Sequence, residues 1–241
     1  MNLDTFLSGR VLTRCAMLVV VTGTGTGIGK THFSEAFLLT ARDAGLSAAG
    51  LKPVESGVSS ATRSDADRLR AASTFHVKPF GRALAAPVSP HRAARLEGHP
   101  IEIPPILAGV QAIRTALDLL LIELPGGLFT PLVPPALNID LAAALQPDML
   151  LLIAPDRLGV LHDVGAVVRA ARAHPLRIDG IVLTTPESPD PSTGCNAEDI
   201  AILTDGVPVL TTLPRATPDR IAATGILTPY LRCPPHRLAL R

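Results

Sequence analysis

The sequence predicts an α/β fold: one doubly wound domain on a mainly parallel sheet, with helices on both faces. Two observations lead there. Short apolar runs alternate with helix-length segments along the 241 residues, as in parallel β-α-β units. The runs are almost continuously apolar, as strands covered by helices on both faces must be. The length alone allows one domain or two, but no linker divides the chain. We therefore expect one domain at 15–241, after an extension at 1–14.

Each apolar run marks one strand of the expected sheet. The strands are predicted at residues 17–21, 47–54, 117–124, 148–154, 178–184 and 207–210, and helices at 32–44, 158–173 and 196–205. Gly45 is placed to end the first helix, because glycine tolerates the left-handed backbone found there. Residues 55–105 are rich in Pro, His and Arg and lack a strand pattern. We expect short helices and loops there, reaching over the strand ends.

The composition excludes several classes of protein. A net charge of +1 and 3% aromatic residues argue against a nucleic-acid partner. The cysteines Cys15, Cys195 and Cys233 are too widely spaced for a zinc or disulfide scaffold. No run approaches the roughly 18 apolar residues that span a bilayer, and the run at 17–21 leads into glycines rather than a cleavage site. We expect a cytoplasmic protein without a membrane partner.

The strongest pattern in the chain is the glycine loop Val21-Thr-Gly-Thr-Gly-Thr-Gly-Ile-Gly-Lys-Thr31. Glycines let backbone N–H groups turn toward a phosphate, and a helix N-terminus adds positive potential. Lys30 can meet the β- and γ-phosphates, and the Thr31 hydroxyl can ligate Mg²⁺. Five residues separate Gly23 from Gly29, one more than in the standard phosphate-binding loop. The loop indicates a P-loop NTPase-type domain, but ATPase switches, kinases and ligases all share it.

Three charged residues are expected to gather around the bound phosphates. Lys52 ends the second predicted strand, Asp65 follows it, and Glu123 ends a later apolar run. Ligands of an open parallel sheet collect at the carboxyl ends of its strands, where P-loop enzymes also place a Mg²⁺ carboxylate. The chain has only three lysines, which makes Lys52 notable. Each residue also has a simpler structural interpretation. Lys52 and Glu123 could be surface residues at strand ends, and Asp65 could be a helix N-terminal charge that interacts favourably with the helix dipole.

Five motifs, in this order, resemble the dethiobiotin synthase family, the ligases of the biotin pathway. They are Thr22-Gly-Thr-Gly-Thr-Gly-Ile-Gly-Lys-Thr31, Lys52-Pro-Val-x-Ser-Gly57, Ser64-Asp-Ala66, Ala86-Pro-Val-Ser-Pro-His91 and Glu123-x-x-Gly-Gly-x-Phe-Thr-Pro-Leu132. The resemblance covers roughly residues 18–214. It implies an ATP- and Mg²⁺-dependent ligase that joins CO₂ to 7,8-diaminopelargonate through a carbamate and its phosphoric anhydride.

The resemblance also implies a role for each matching residue. Lys30 and Lys52 would be catalytic, and Thr26 and Ser56 would contact the diamine. Thr31, Asp65 and Glu123 would hold the metal. The nucleotide would be bound by Gly27, Ile28, Gly29, Lys30, Thr31, His32, Asp65, Glu123, Gly126, Thr184, Thr185, Leu213 and Pro214. The family is homodimeric, and the helix that carries His162 would reach the substrate carboxylate of the other subunit.

The chain departs from the family pattern at three places. Leu124-Pro125 replaces Gly-Ala, which puts a side chain and a missing N–H where backbone is expected to approach phosphate. Thr184-Thr185 replaces the Asn-Asp that reads adenine, and Arg157-Leu-Gly-Val-Leu-His162 replaces Lys-Leu-Gly…Asn-His. Because of these changes, one alternative is a paralogue that keeps the fold and the nucleotide site but has an altered or lost substrate. A partition-type ATPase switch is the other alternative, although it carries a signature lysine where Gly25 stands.

Overall fold

The computed structural model describes residues 16–232. The elements, in chain order, are β1 (Met17–Gly23), α1 (Lys30–Asp43), β2 (Ala48–Leu51), β3 (Val54–Ser56), α2 (Asp65–Ala72), β4 (Arg82–Leu84), α3 (Pro90–Glu97), α4 (Ile103–Ile113), β5 (Leu119–Glu123), β6 (Pro131–Val133), β7 (Ala136–Leu137), α5 (Asn138–Leu145), β8 (Met149–Pro155), α6 (Val160–Ala171), β9 (Gly180–Thr184), α7 (Asn196–Leu203), β10 (Val209–Leu213) and α8 (Pro218–Ala223). A short 3₁₀ turn follows at Thr228–Tyr230.

Six parallel strands form the central sheet, in the order β10-β9-β8-β1-β5-β2. One buried apolar cluster on one face includes side chains of α3 to α7, and a second cluster on the other face includes side chains of α1, α2 and α8. This arrangement confirms the predicted doubly wound α/β fold in one domain. Because β1 lies between β5 and β8, the loop that follows β1 begins in the middle of the sheet edge.

The first helix shows why the sequence folds as predicted around the glycine loop. Gly29 precedes α1 with φ 94°, a left-handed conformation that a side chain would strain. Phe33 and Phe37 are buried one turn apart and pack on each other beneath the sheet. Gly45 has φ 75° just after the helix, as the sequence predicted. The first helix therefore begins where the glycine loop ends, so its amino end adjoins that loop.

Three strand predictions need correction. The strand expected at 47–54 is interrupted, because Pro53 has no N–H to donate, and it forms β2 and β3 instead. Residues 55–105 were expected to lack strands, and that was wrong: β3 extends into this region and pairs in parallel with β4. Both strands have only three residues, too few for a visible period. The last strand lies at 209–213 rather than 207–210, where an edge position tolerates polar residues.

Some predictions fall outside the described residues, namely the extension at 1–14 and the side chains of Cys15 and Cys233. Cys195 is a free, exposed thiol. Within residues 16–232, no helix combines the length and the apolar character needed to cross a membrane.

Candidate active site

The glycine loop connects the centre of the sheet to the first turn of α1. Gly27 and Gly29 both have positive φ, 72° and 94°. A Cβ at Gly23 would collide with the side chain of Ile28, so the loop closes tightly at its start. Lys30 is buried and its Nζ donates to the carbonyl oxygen of Gly25 at 2.6 Å. The Lys30 side chain thus folds back over the glycine loop, which is the predicted phosphate-binding loop.

Glu123 is the buried anchor of the site. It ends β5 opposite Val21 of β1 and is 0% exposed, which excludes the surface interpretation. Its Oε1 accepts from Thr31 Oγ1 at 2.8 Å, and its Oε2 accepts from Ser34 Oγ at 2.8 Å. A buried carboxylate needs such donors to offset lost hydration. Glu123 is therefore fixed directly below the start of α1.

Lys52 lies between two carboxylates. Its Nζ donates to Asp65 Oδ2 at 2.6 Å and to Glu123 Oε1 at 2.9 Å. The Lys52 side chain is only 8% exposed, so it is not a surface lysine. Asp65 is the first residue of α2 and also pairs with this lysine, so its placement does more than complement a helix dipole. The structure brings all three predicted residues into one cluster.

The electrostatics of the two lysines differ although both are buried. Burial lowers the pKa of Lys30 to about 8, and only in part do nearby carboxylates oppose it. Burial also lowers the pKa of Lys52, but Glu123 and Asp65 outweigh it and raise that pKa above its ordinary value. Burial raises the pKa of Asp65, yet contact with Lys52 outweighs this and lowers it. Lys52 and Asp65 therefore form a charged pair, whereas Lys30 loses its proton at a lower pH than an ordinary lysine.

The residues that support this cluster were not predicted from the sequence. Ser34 holds Glu123, as described above, and Glu55 accepts the backbone N–H groups of Asp65 and Ala66 at 2.7 and 3.1 Å. Arg68 pairs with Glu35 on α1 and with Asp65. Apart from the i,i+3 pair of Arg68 and Asp65, these contacts join residues 10 to 89 positions apart, so no local sequence pattern indicates them.

The turn after β5 is held from below by a buried amide. Asn138 Nδ2 donates to the carbonyl oxygens of Pro125 and Gly127, and it too was missed by sequence reasoning. Leu124 is 0% exposed and packs in the apolar cluster of the α3 to α7 face. The side chain that this leucine adds therefore lies in the core, and the effect of Leu124 and of the missing Pro125 N–H on the approach of phosphate stays a prediction. Gly126 lies in the same turn, with φ 63°.

A cavity of about 890 Å³ opens on the other side of the glycine loop. Most of the predicted nucleotide contacts line it, namely Gly27, Ile28, Gly29, His32, Thr184, Thr185, Leu213 and Pro214. Thr26, which was predicted to contact the diamine, lines it as well. Arg157, Glu187, Arg215 and Arg220 add charged side chains to the same cavity. The structure thus gathers residues from the glycine loop, the start of α1 and the ends of β9 and β10 into one concave site large enough for a nucleoside.

The two threonines that replace Asn-Asp are engaged with the backbone. Thr184 Oγ1 donates to the carbonyl oxygen of Ile28, and Thr185 Oγ1 donates to that of Leu213, both at 2.8 Å. A hydroxyl has a single proton, so neither threonine has a further donor for a base. The Thr184 bond also ties β9 to the glycine loop.

Two further predicted contacts are Ser56 and the helix that carries His162. Ser56 ends β3 opposite Leu84 of β4. At the amino end of α6, Leu158 is 77% exposed and its N–H donates to Asp190 Oδ2 at 2.8 Å. His162 is exposed in the first turn of the helix. Their predicted roles toward the diamine and its carboxylate remain predictions.

The donor set of the charged cluster suits a magnesium ion. The Thr31 hydroxyl and the Asp65 and Glu123 carboxylates are hard oxygen donors, and both carboxylates already face one cation, the Lys52 ammonium. Over residues 16–232, no three His, Cys, Asp or Glu side chains group as a metal site. Mg²⁺ commonly uses one or two carboxylates together with substrate phosphates, so two carboxylates suffice.

Comparison with known proteins identifies the family. A family model described as an AAA domain (AAA_26) matches residues 18–218. The ATP-dependent dethiobiotin synthetase BioD of Anaeromyxobacter sp. (strain K) is 40% identical over 195 residues, covering 78% of this chain and 86% of that protein. The chain belongs to the dethiobiotin synthetase family. The BioD of Rhodococcus jostii (strain RHA1) is 34% identical over 201 residues, covering 82% and 86% of the two chains. Membership confirms the predicted resemblance and the ligase class of the enzyme.

Solved structures of other proteins have a similar fold at low sequence identity. The MinC:MinD cell division protein complex of Aquifex aeolicus matches with a TM-score of 0.56 at 13% identity, covering 88% of this chain and 93% of that one. A ParA family ATPase of Chlorobium tepidum TLS matches with a TM-score of 0.54 at 14% identity, covering 89% of each chain. At such identities the likeness concerns the fold alone.

Proposed function

We propose that this chain carboxylates 7,8-diaminopelargonate with CO₂ and closes the ureido ring of dethiobiotin at the expense of ATP. The observation that carries the proposal is the cluster of Lys30, Lys52, Asp65 and Glu123 at the glycine loop, in a chain of this family. The side chains of the two lysines and of Glu123 are buried, and that of Asp65 is partly exposed. The formal charges of these four groups cancel. Incoming phosphates would therefore meet two ammonium groups that are already positioned, rather than a site of uncompensated charge.

The reaction asks the protein mainly to position and neutralise oxyanions. One amine of the substrate adds to CO₂ and loses a proton, which gives a carbamate. A carbamate oxygen then attacks the γ-phosphorus and ADP leaves, and the second amine attacks the resulting anhydride and releases phosphate. The attacking carbamate and the transferred phosphoryl group are both anionic, so cationic groups lower the barrier by holding them together.

Each lysine is assigned by its position. Lys30 opens α1 and reaches Gly25 across the glycine loop, so it is placed for the β- and γ-phosphates. Lys52 approaches from β2 and lies 2.6 and 2.9 Å from two carboxylates, so we assign it to the carbamate and the transferred phosphoryl group. Thr31, Asp65 and Glu123 would hold Mg²⁺, which supplies additional positive charge at the phosphate oxygens.

The nucleoside is assigned to the cavity lined by Thr184, Thr185, Leu213 and Pro214. The glycine loop lies between this cavity and the charged cluster, so we assign the phosphates to the point where both sides meet. Gly27 to His32 would contact the phosphates, and Gly126 belongs to the adjoining turn. We assign the diamine to the region of Thr26 and Ser56.

We also propose that the active protein is a cytoplasmic homodimer. The family resemblance supports it, and so does the amino end of α6, where Leu158 exposes 77% of its surface and His162 is exposed. An apolar side chain so exposed gains by burial against a second copy. The partner's α6 would then face the substrate carboxylate.

The deciding experiment is release of phosphate from ATP with and without 7,8-diaminopelargonate and bicarbonate, with dethiobiotin identified as the product. We expect turnover only with all substrates present. The threonines at 184 and 185 favour one alternative, a paralogue with an altered substrate; ATP turnover that ignores the diamine would support it. A partition-type switch is disfavoured by Gly25 at the place of the signature lysine.

A further inference from the structure

Glu55 is a buried carboxylate that the reaction does not use. It lies on β3, three residues after Lys52, and is 8% exposed. Its Oε1 accepts the backbone N–H of Asp65 at 2.7 Å, and its Oε2 accepts that of Ala66 at 3.1 Å. Both oxygens are therefore occupied by backbone donors. A buried carboxylate bonded in this way holds its donors in place, since their loss would leave it unpaired.

The two amides belong to the first turn of α2, which starts at Asp65. First-turn amides have no acceptor within their own helix. Ser64, the N-cap, accepts the third amide, from Asp67, at 3.1 Å. Glu55 thus completes the cap of α2 from a different segment of the chain, and its negative charge also suits the helix dipole.

The position of this cap matters because of the loop it bridges. Residues 57–64 connect β3 to α2 and are mostly exposed. The segment before the connection is tied to the first residue of α2 at two points: Glu55 holds the backbone of Asp65, and Lys52 holds its carboxylate. Motion of the exposed loop is therefore kept away from Asp65.

We propose that Glu55 is a positioning residue, which fixes the backbone of Asp65 so that its carboxylate faces Lys52 and a bound divalent cation. This inference rests on the proposed function for the identity of the cation. Glu55 acts through Asp65 and touches no reacting atom. Residues that orient metal ligands in this way typically change metal affinity or activity by about 10- to 100-fold when replaced.

The test is the Glu55→Gln variant of the full chain, in which an NH₂ group replaces one acceptor oxygen. Binding of Mn²⁺ in the presence of ADP, followed by electron paramagnetic resonance, reports on the cation site without catalysis. We expect binding weakened by about 10- to 100-fold. In turnover, the Mg²⁺ concentration at half-maximal rate should rise by a similar factor, whereas kcat at saturating Mg²⁺ should change less.

Ser64→Ala is the matched control, because it removes the other cap of α2 and leaves Glu55 intact. It should lower thermal stability comparably and change Mn²⁺ affinity by less than about threefold. Equal affinity in wild type and Glu55→Gln would overturn the proposal, and so would an equal loss in Ser64→Ala.

If Glu55→Gln does not fold, amide exchange in the wild type decides. The amides of Asp65 and Ala66 should exchange more slowly than those of Ala197 and Glu198 in the first turn of α7, whose N-cap residue Cys195 makes no capping bond. Equal rates would overturn the proposal.

A wild-type chain that binds Mn²⁺ and ADP but forms no dethiobiotin would refute the proposed function. The ratio of the Mn²⁺ affinities of wild type and Glu55→Gln would still test the role of Glu55.

Discussion

Replacing Lys52 with alanine removes the cation between two carboxylates. In the structure its ammonium bonds to Asp65 at 2.6 Å and to Glu123 at 2.9 Å, and its side chain is 8% exposed. Glu123 would keep the hydroxyl donors of Thr31 and Ser34 but lose its only described ion pair. We therefore expect both the stability and the turnover of the variant to fall.

The magnitudes follow from burial. Breaking a buried ion pair by removing one partner costs about 3–5 kcal/mol. The Asp65 side chain is 32% exposed and partly screened, and Glu123 keeps two donors, so we expect about 3 kcal/mol. For a chain of this size, that corresponds to a melting temperature lower by roughly 6–12 °C. Loss of one preorganised contact to growing charge should slow dethiobiotin formation by at least about 10²–10³.

Urea unfolding with and without millimolar Mg²⁺, together with dethiobiotin formation, measures these effects. Mg²⁺ should recover part of the lost stability, because the unpaired carboxylates of Asp65 and Glu123 become available to it. Lys78→Ala is the control, since Lys78 is exposed and should change stability by no more than about 0.5 kcal/mol. Normal turnover by the folded Lys52→Ala variant would remove Lys52 from the mechanism.

Three further predictions concern the base, the proton and the subunits. Thr184 and Thr185 donate their hydroxyl protons to backbone carbonyl oxygens, so they offer no donor to the base. The preference for ATP over other nucleotides should therefore be lower by roughly ten- to hundredfold, about 1–3 kcal/mol, than the preference that a bidentate Asn contact gives. The values of kcat/KM for ATP, GTP and CTP measure it, and an ATP preference beyond about a hundredfold would contradict it. Lys30, with a pKa near 8, is largely neutral at about pH 9 in the free protein, and phosphate should raise that pKa. ADP binding at that pH should then take up nearly one proton, detected by calorimetry in two buffers and lost in Lys30→Arg, whereas binding without uptake would count against this role. Sedimentation at micromolar concentration should show a dimer, and a fully active monomer would be the contrary result.

The sequence predicted the fold and the charged cluster because both depend on strand ends. Lys52 and Glu123 follow apolar runs, and parallel strands bring their carboxyl ends to one edge. Ser34, Glu55 and Asn138 could not be predicted, since each acts through a contact to a distant segment rather than through local spacing. The short strands β3 and β4 escaped for a related reason: three residues apiece are too few to show a period.

The place of β1 in the sheet separates two kinds of recognition along the chain. On one side lie β5 and β2, with Glu123 and Lys52; on the other lie β8, β9 and β10, with the cavity of Thr184 and Leu213. Under the proposed assignments, the residues of the chemistry therefore lie before 124, and those that face the base lie mostly after 154. On this proposal, substitutions after residue 154 would change the preferred base without altering Lys30, Lys52, Asp65 or Glu123. The hydrogen bond from Thr184 to the carbonyl oxygen of Ile28 would join the altered part to the glycine loop.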